Sequence, residues 1–317
     1  MLQKIKNICH NRSAYIKAYL WPLPRFRREI VVMVDGVHTH GGLGDRLKFI
    51  LSVYSYCKEN SIPFKIYWIY PFKLERILLP NHYDWRIKES ELSFSHYDTK
   101  EICLWYKKRD AQGKNYSEQN ISLLDKEIGK ERKQFHLYGN IDSSTQDYDE
   151  LFHELFKPSQ YLSERIDLCK QQLTKPYEAV TLRFQQLLGD FEEGDFPILP
   201  DSEKEDLIRV CKNMIIELYY TGYFSTEKIL VTSDSPSFLE EIDKLNYVYT
   251  IPGRMEHMDF THNSDLEVYA KSFVDLIMLS KAQRITLLKT GQMYRSGFPK
   301  FAAEMGSTLF NEIVFKI

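Results

Sequence analysis

An apolar run, Ile30-Val31-Val32-Met33-Val34, leads through His38-Thr39-His40 into Gly41-Gly42-Leu43-Gly44-Asp45-Arg46. Beyond it, Leu47, Ile50, Leu51, Tyr54 and Cys57 recur at helical spacing. The pattern predicts strand, glycine turn, helix. Pro63 stops the helix, and Phe64-Lys65-Ile66-Tyr67-Trp68-Ile69 follows as a second strand. Two strands joined by a helix must lie parallel, with a right-handed crossover. Such a unit confines the chain to α/β architectures. In these, backbone N–H groups at the helix start face a ligand. Gly41, Gly42 and Gly44 let the chain turn tightly there.

The same alternation continues downstream. Strands are expected at 102–106, 134–138, 179–183, 228–232, 247–251 and 284–288. Helices are expected at 72–79, 148–156, 160–173, 202–220 and 267–280, after Pro236, and from Ser296-Gly297-Phe298 onward. Residues 107–131 are polar and read as an exposed excursion. Lys175-Pro176 separates two βα series. The expected organisation is a basic segment over 1–28, a Rossmann-like domain over 29–175 and a second Rossmann-like domain over 176–317. The 317 residues suffice for two such domains of about 150 each. Ligands of such folds lie outside the carboxyl ends of the strands, so the cleft between two facing sheets is the expected site.

Charge is unevenly spread. Residues 1–28 hold seven basic residues, no acid, and Tyr15, Tyr19, Leu20 and Trp21 among them. The whole chain is −2, which leaves the remainder at −9. The segment is suited to peripheral contact with an anionic membrane face. The acidic body argues against nucleic acid as a partner. No apolar run reaches the roughly 18 residues of a membrane span. The start lacks a signal-peptide pattern, and five cysteines form no CxxC pair. A cytoplasmic protein, held in part at the inner membrane face, is expected.

Three strand ends in the second half carry anion-binding chemistry. Arg183 closes a strand and offers a planar fork for phosphate oxygens. Thr232-Ser233-Asp234-Ser235 closes another and opens a helix; its hydroxyls and amides suit a nucleoside or phosphate, and taken alone it reads first as a plain N-cap. Lys289 to Gly297 forms a loop before a Ser-Gly helix start, where amides and the helix dipole favour an anion. The loop after Arg183 supplies Asp190, Glu192, Glu193 and Asp195, and Glu193 is the choice for general base.

Gly41-Gly42-Leu43-Gly44-Asp45-Arg46-Leu47 resembles the N-terminal glycine motif of the fucosyltransferase superfamily: the nodulation, α1,6- and protein O-fucosyltransferases. Leu155-Phe156-Lys157-Pro158, a helix and Thr181-Leu182-Arg183 resemble its second motif, with Thr181 where the family has His. Thr232-Ser233-Asp234 is similar to its third, and Asp275, Leu279-Ser280, Ile285–Leu288 and Ser296-Gly297-Phe298 to its fourth. The resemblance covers about residues 30–305. It implies a GT-B fold and inverting transfer of fucose from GDP-fucose to a glycan or lipid-linked saccharide, with no metal or other cofactor. By position it implies that Arg183 holds the β-phosphate and that Ser296, Gly297 and Phe298 flank the diphosphate. Asp234, Ser235 and Asp275 would lie near the nucleoside. Gly41 to Arg46, with His40, would face sugar and acceptor from the other side, Asp45 and Arg46 pairing to fix the loop.

Two rivals remain at this point. His38-x-His40 resembles the metal ligands after the first strand of amidohydrolase barrels, which implies a metal-dependent hydrolase. Thr181 in place of His leaves room for a non-catalytic nucleotide-sugar-binding protein of the same fold.

Overall fold

Eleven strands and seven α-helices are described in a computed structural model that covers residues 28–104, 124–128, 132–140, 147–173, 176–192, 196–259 and 265–316. The expected basic segment and most of the 107–131 excursion lie outside these ranges. Four strands form a parallel sheet: β1 (Glu29–Val34), β2 (Phe64–Trp68), β4 (Thr99–Leu104) and β5 (Gln134–Gly139), in the order β2-β1-β5-β4. Five form a second parallel sheet: β7 (Glu178–Leu182), β8 (Ile229–Ser233), β9 (Val248–Thr250), β10 (Arg284–Thr290) and β11 (Leu309–Phe315), in the order β11-β10-β7-β8-β9. Strands buried on both faces need apolar runs instead of alternation, and β1 and β8 meet that demand.

Helix α1 (Leu43–Glu59) crosses from β1 to β2, as the first βαβ unit requires. Helices α2 (Tyr148–Leu155) and α3 (Gln160–Gln172) lead to β7. Helices α4 (Asp201–Tyr220) and α5 (Pro236–Ile242) cover one face of the second sheet, where Leu207, Cys211, Ile215 and Phe238 pack on Val180, Leu182 and Val231. Helix α6 (Glu267–Ser280) is buried continuously from Tyr269 to Leu279. Its Tyr269 and Phe273 rings meet Phe72 from the first half at 5.4 and 6.0 Å. Helix α7 (Phe298–Met305) packs against both α1 and α2. One apolar core therefore joins the two sheets.

The element pattern departs from expectation in three places. The helix expected over 72–79 is a 3-10 turn, Leu74–Arg76, followed by β3 (Leu78–Pro80). Leu78 and Leu79 are drawn into pairing with Pro158 and Lys157, and that extended pairing takes the last turn the helix would need. β3 pairs antiparallel with β6 (Phe156–Pro158), which ends the helix expected to reach 156. β11 was not expected, because it is a half-exposed edge strand without a continuous apolar run. An eight-stranded barrel is ruled out by the two separate parallel sheets, and the amidohydrolase reading falls with it.

Phe301 is fully buried, edge-on to Tyr148 at 5.3 Å and beneath the Lys48 ammonium at 5.6 Å. It locks α7 against the first half of the chain. Phe301→Ala is expected to cost about 3–5 kcal/mol of stability, read as a lowered urea midpoint; an unchanged midpoint contradicts this packing role.

Candidate active site

Ligands of open α/β sheets gather outside the carboxyl ends of the strands, above all where the strand order reverses. In the first sheet the glycine loop leaves the carboxyl end of β1, one of the two central strands. In the second the order reverses between β7 and β10, so Arg183 and the loop leading to Ser296 sit on the switch point. A cleft with about 770 Å³ of open space joins the two. Gly42, Gly44, Asp45 and Lys48 line it from α1, Arg183 and Phe191 from beyond β7, and Ser296, Gly297 and Phe298 from the start of α7.

The glycine loop is held by an interaction absent from the sequence reading. Arg46 is wholly buried and spends its guanidinium on three acceptors: the Gly41 carbonyl from Nε (2.9 Å), the Tyr70 carbonyl from Nη1 (2.9 Å) and Asp259 Oδ1 from Nη2 (2.7 Å). The other oxygen of Asp259 accepts from the His40 amide (2.9 Å) and the Gly41 amide. Asp259 follows β9, so this residue of the second half clamps the loop of the first. The expected Asp45–Arg46 pair is thus corrected: Arg46 pairs with Asp259, and Asp45 is left to the cleft. Gly41 adopts φ +76°, where a side chain would be strained and would press on Asp45.

His40 does not reach the cleft either. It is buried, and its Nε2 accepts from the Gly36 amide at 3.2 Å. Burial, reinforced by the Arg46 charge, lowers its pKa to about 4. That acceptor role excludes a proton on Nε2, so His40 is a neutral brace for the loop.

Across the cleft, Arg183 keeps 17% of its side chain exposed, with Nε 3.3 Å from Asp234 Oδ2 and the guanidinium over the Phe191 ring at 4.5 Å. Asp234 is fully buried and accepts from the amides of Phe184 (2.9 Å) and Gln185 (2.7 Å). It shapes the turn after Arg183 and does not line the cleft. Ser235 is likewise buried, capping α5 by accepting from the Phe238 amide at 3.1 Å. The plain cap is the reading its geometry favours. Asp190 ties the acid loop to that same helix start through Ser235 and Ser237. Asp275 is sealed inside α6 against Lys271, at 3.0 and 2.7 Å, and is also removed from the cleft. Glu193 lies outside the described residues.

Two further residues enter the cleft from the segment after β9. His257 accepts the Asp259 amide on Nδ1 (3.3 Å), which leaves its Nε2 close to Gly42. Burial lowers its pKa to about 4, so it stays neutral. Glu256 lines the cleft beside it. Asp45 has its pKa raised by its confined surroundings, an effect opposed by Lys48 and the Gly42 backbone. The cleft can thus take an anion between Arg183, Lys48 and the amides opening α1 and α7, with a carboxylate at its rim.

No family model matches the chain, and no curated protein sequence does. Solved structures do. A NodZ α-1,6-fucosyltransferase soaked with GDP-fucose superposes with a TM-score of 0.56 at 13% identity, over 88% of this chain and 93% of that one. This chain has the GT-B fold of the fucosyltransferases. Arabidopsis thaliana FUT1, solved with GDP as a point mutant, gives a TM-score of 0.54 at 11% identity, over 95% of this chain and 74% of that one. POFUT1 in complex with GDP gives 0.50 at 11% identity, over 93% and 99%. The resemblance carried by the glycine loop, Arg183 and Ser296-Gly297-Phe298 thus has its counterpart in the backbone. Among the described residues no helix is long and apolar enough to cross a membrane.

His40 is depressed below the ordinary histidine value, so its stabilising contribution is full above about pH 6.5 and is lost as pH falls toward 4. His136 and His257 act in the same direction. Between pH 6.5 and 4, stability is expected to fall with pH, each of these histidines adding up to about 1.4 kcal/mol per pH unit. In His40→Gln, urea midpoints across that window should show a shallower slope. An unaltered slope contradicts a neutral, buried His40.

Proposed function

We propose that the protein is an inverting glycosyltransferase that moves a sugar, fucose by its fold, from GDP-fucose to a hydroxyl of a glycan or lipid-linked saccharide. The observation that carries this reading is the convergence of Arg183, Lys48 and the α7 amides on one cleft at the carboxyl ends of both sheets. Departure of the nucleoside diphosphate leaves an additional negative charge on its β-phosphate. Preorganised donors stabilise that charge, and one such donor is worth about 3–4 kcal/mol. Arg183 supplies the charged donor, steadied by Asp234 and Phe191. Ser296 to Phe298 supply amides and the positive end of α7. His257 Nε2, protonated in the neutral tautomer, donates into the same space.

The acceptor hydroxyl must lose its proton as the glycosidic bond forms. Asp45 is suited to take it: it stands in the cleft on the glycine-loop side, and its raised pKa brings it closer to neutrality. The division of labour follows the chain. Residues 29–175 hold the acceptor and base and lend Lys48 to the diphosphate, and residues 176–317 hold the rest of the nucleotide. The basic residues of segment 1–28 suit contact with an anionic inner membrane face, where a lipid-linked acceptor would lie.

GDP at one hundred times its Kd is expected to stabilise the protein by about 2.7 kcal/mol, read as a thermal shift, and Arg183→Ala should abolish the shift. No shift with millimolar GDP overturns the reading. Asp45→Asn should retain GDP binding and lower kcat by about 10²–10⁴. GDP binding without GDP release over a panel of glycan acceptors would instead favour a non-catalytic binding protein.

A further inference from the structure

The first sheet carries a second group of polar side chains that the cleft does not use. Glu101 and Cys103 stand two residues apart on the edge strand β4, so both project from one face. His38, in the loop after β1, closes on them. Its Nε2 lies 3.0 Å from Glu101 Oε1, and Cys103 Sγ lies 3.4 Å from the same oxygen. All three ligand atoms fall within 4.8 Å of one another. A tetrahedral zinc ion at its usual distances to N, O and S holds its ligand atoms about 3.3–3.6 Å apart. The two short separations are already close to that spacing, and the sulfur–nitrogen gap needs only a side-chain adjustment.

We propose that His38, Glu101 and Cys103 form a binding site for zinc or a similar thiophilic divalent cation, separate from the cleft. The donor set decides the class of ion. Magnesium and calcium take oxygen ligands, whereas one imidazole, one carboxylate and one thiolate suit a borderline ion. Three protein ligands leave the fourth position to water. On binding, the Cys103 S–H bond breaks and its proton passes to solvent, the sulfur electron pair going to the metal. The His38–Glu101 hydrogen bond is exchanged for two metal–ligand bonds. Side-chain exposures of 33% for His38 and 58% for Glu101 leave the site open to an ion from solution.

The ligands are partly fixed in advance. The His38 ring sits edge-on to Tyr138 at 4.6 Å, and the Tyr138 hydroxyl donates to Asp35 at 2.8 Å. Asp35 in turn accepts from the Val37 amide at 3.0 Å. The loop is thereby folded against the sheet before an ion arrives. His38 lies two residues before His40, whose amide Asp259 holds, so the ion ties the glycine loop to the edge strand.

Full-length protein equilibrated with zinc and desalted should retain one equivalent by elemental analysis. Cys9→Ser, which removes the cysteine outside the described residues, should retain it too. His38→Ala, Glu101→Gln and Cys103→Ser should each weaken zinc binding at least tenfold while leaving circular dichroism and melting temperature of the metal-free protein unchanged. With cobalt in place of zinc, a thiolate-to-metal charge-transfer band should appear in wild type and in Cys9→Ser and vanish in Cys103→Ser. Retention of no zinc, or a band that survives Cys103→Ser, overturns the site. GDP binding is measured separately, so either result leaves the cleft assignment untouched.

Discussion

One buried ion pair, Arg46 with Asp259, governs how the two halves of this chain meet. A guanidinium without solvent is costly, and the structure offsets that cost by satisfying it at three acceptors. Both oxygens of Asp259 are occupied as well, one by the guanidinium and one by two loop amides. Loss of either partner strands the other, which is why such a pair specifies one arrangement so strongly. The pair fixes Gly41 in its left-handed conformation, and Gly41 sets the direction in which α1 starts. The amides of that first turn, Asp45 and Lys48 then face the cleft.

The opposite wall is built on the same plan with different residues. Asp234 fixes the turn after β7, so that Arg183 is delivered at the cleft with its fork oriented. Asp190 anchors the following loop to α5. Buried carboxylates thus shape both walls by accepting backbone amides, and the groups left facing the open space are the ones able to meet a diphosphate. α6 and Phe301 of α7 bind the walls into a single core, so the width of the cleft depends on packing that spans both sheets.

Much of this was legible in the chain. Central parallel strands must be apolar throughout, and the runs ending at Val34, Leu182 and Ser233 announced themselves by composition. Glycine spacing marked the carboxyl end of β1, and Arg183 and Ser296 marked the switch point of the second sheet. Asp259 was not legible, because it lies in an irregular segment with no period to place it. His257 and Glu256 were hidden for the same reason. Asp234 and Asp275 were visible as acids near strand and helix ends, but a carboxylate that meets a ligand and one that meets a backbone amide or a lysine leave the same trace in sequence. Lys271–Asp275 has the spacing of an exposed helical pair; burial under neighbouring helices makes it an internal one. β3, β6 and β11 are short or half-exposed, and their pairing depends on partners distant in the chain.

The central claim, that a nucleoside diphosphate is held where the carboxyl ends of the two sheets meet, is tested most directly by a crystal structure of the protein with GDP bound. The β-phosphate should lie within hydrogen-bonding distance of the Arg183 guanidinium and the amides of Ser296 to Phe298, with Asp45 facing the sugar side. GDP bound elsewhere, such as the groove between α3 and α6, with Arg183 still turned to Asp234 and Phe191, would contradict it.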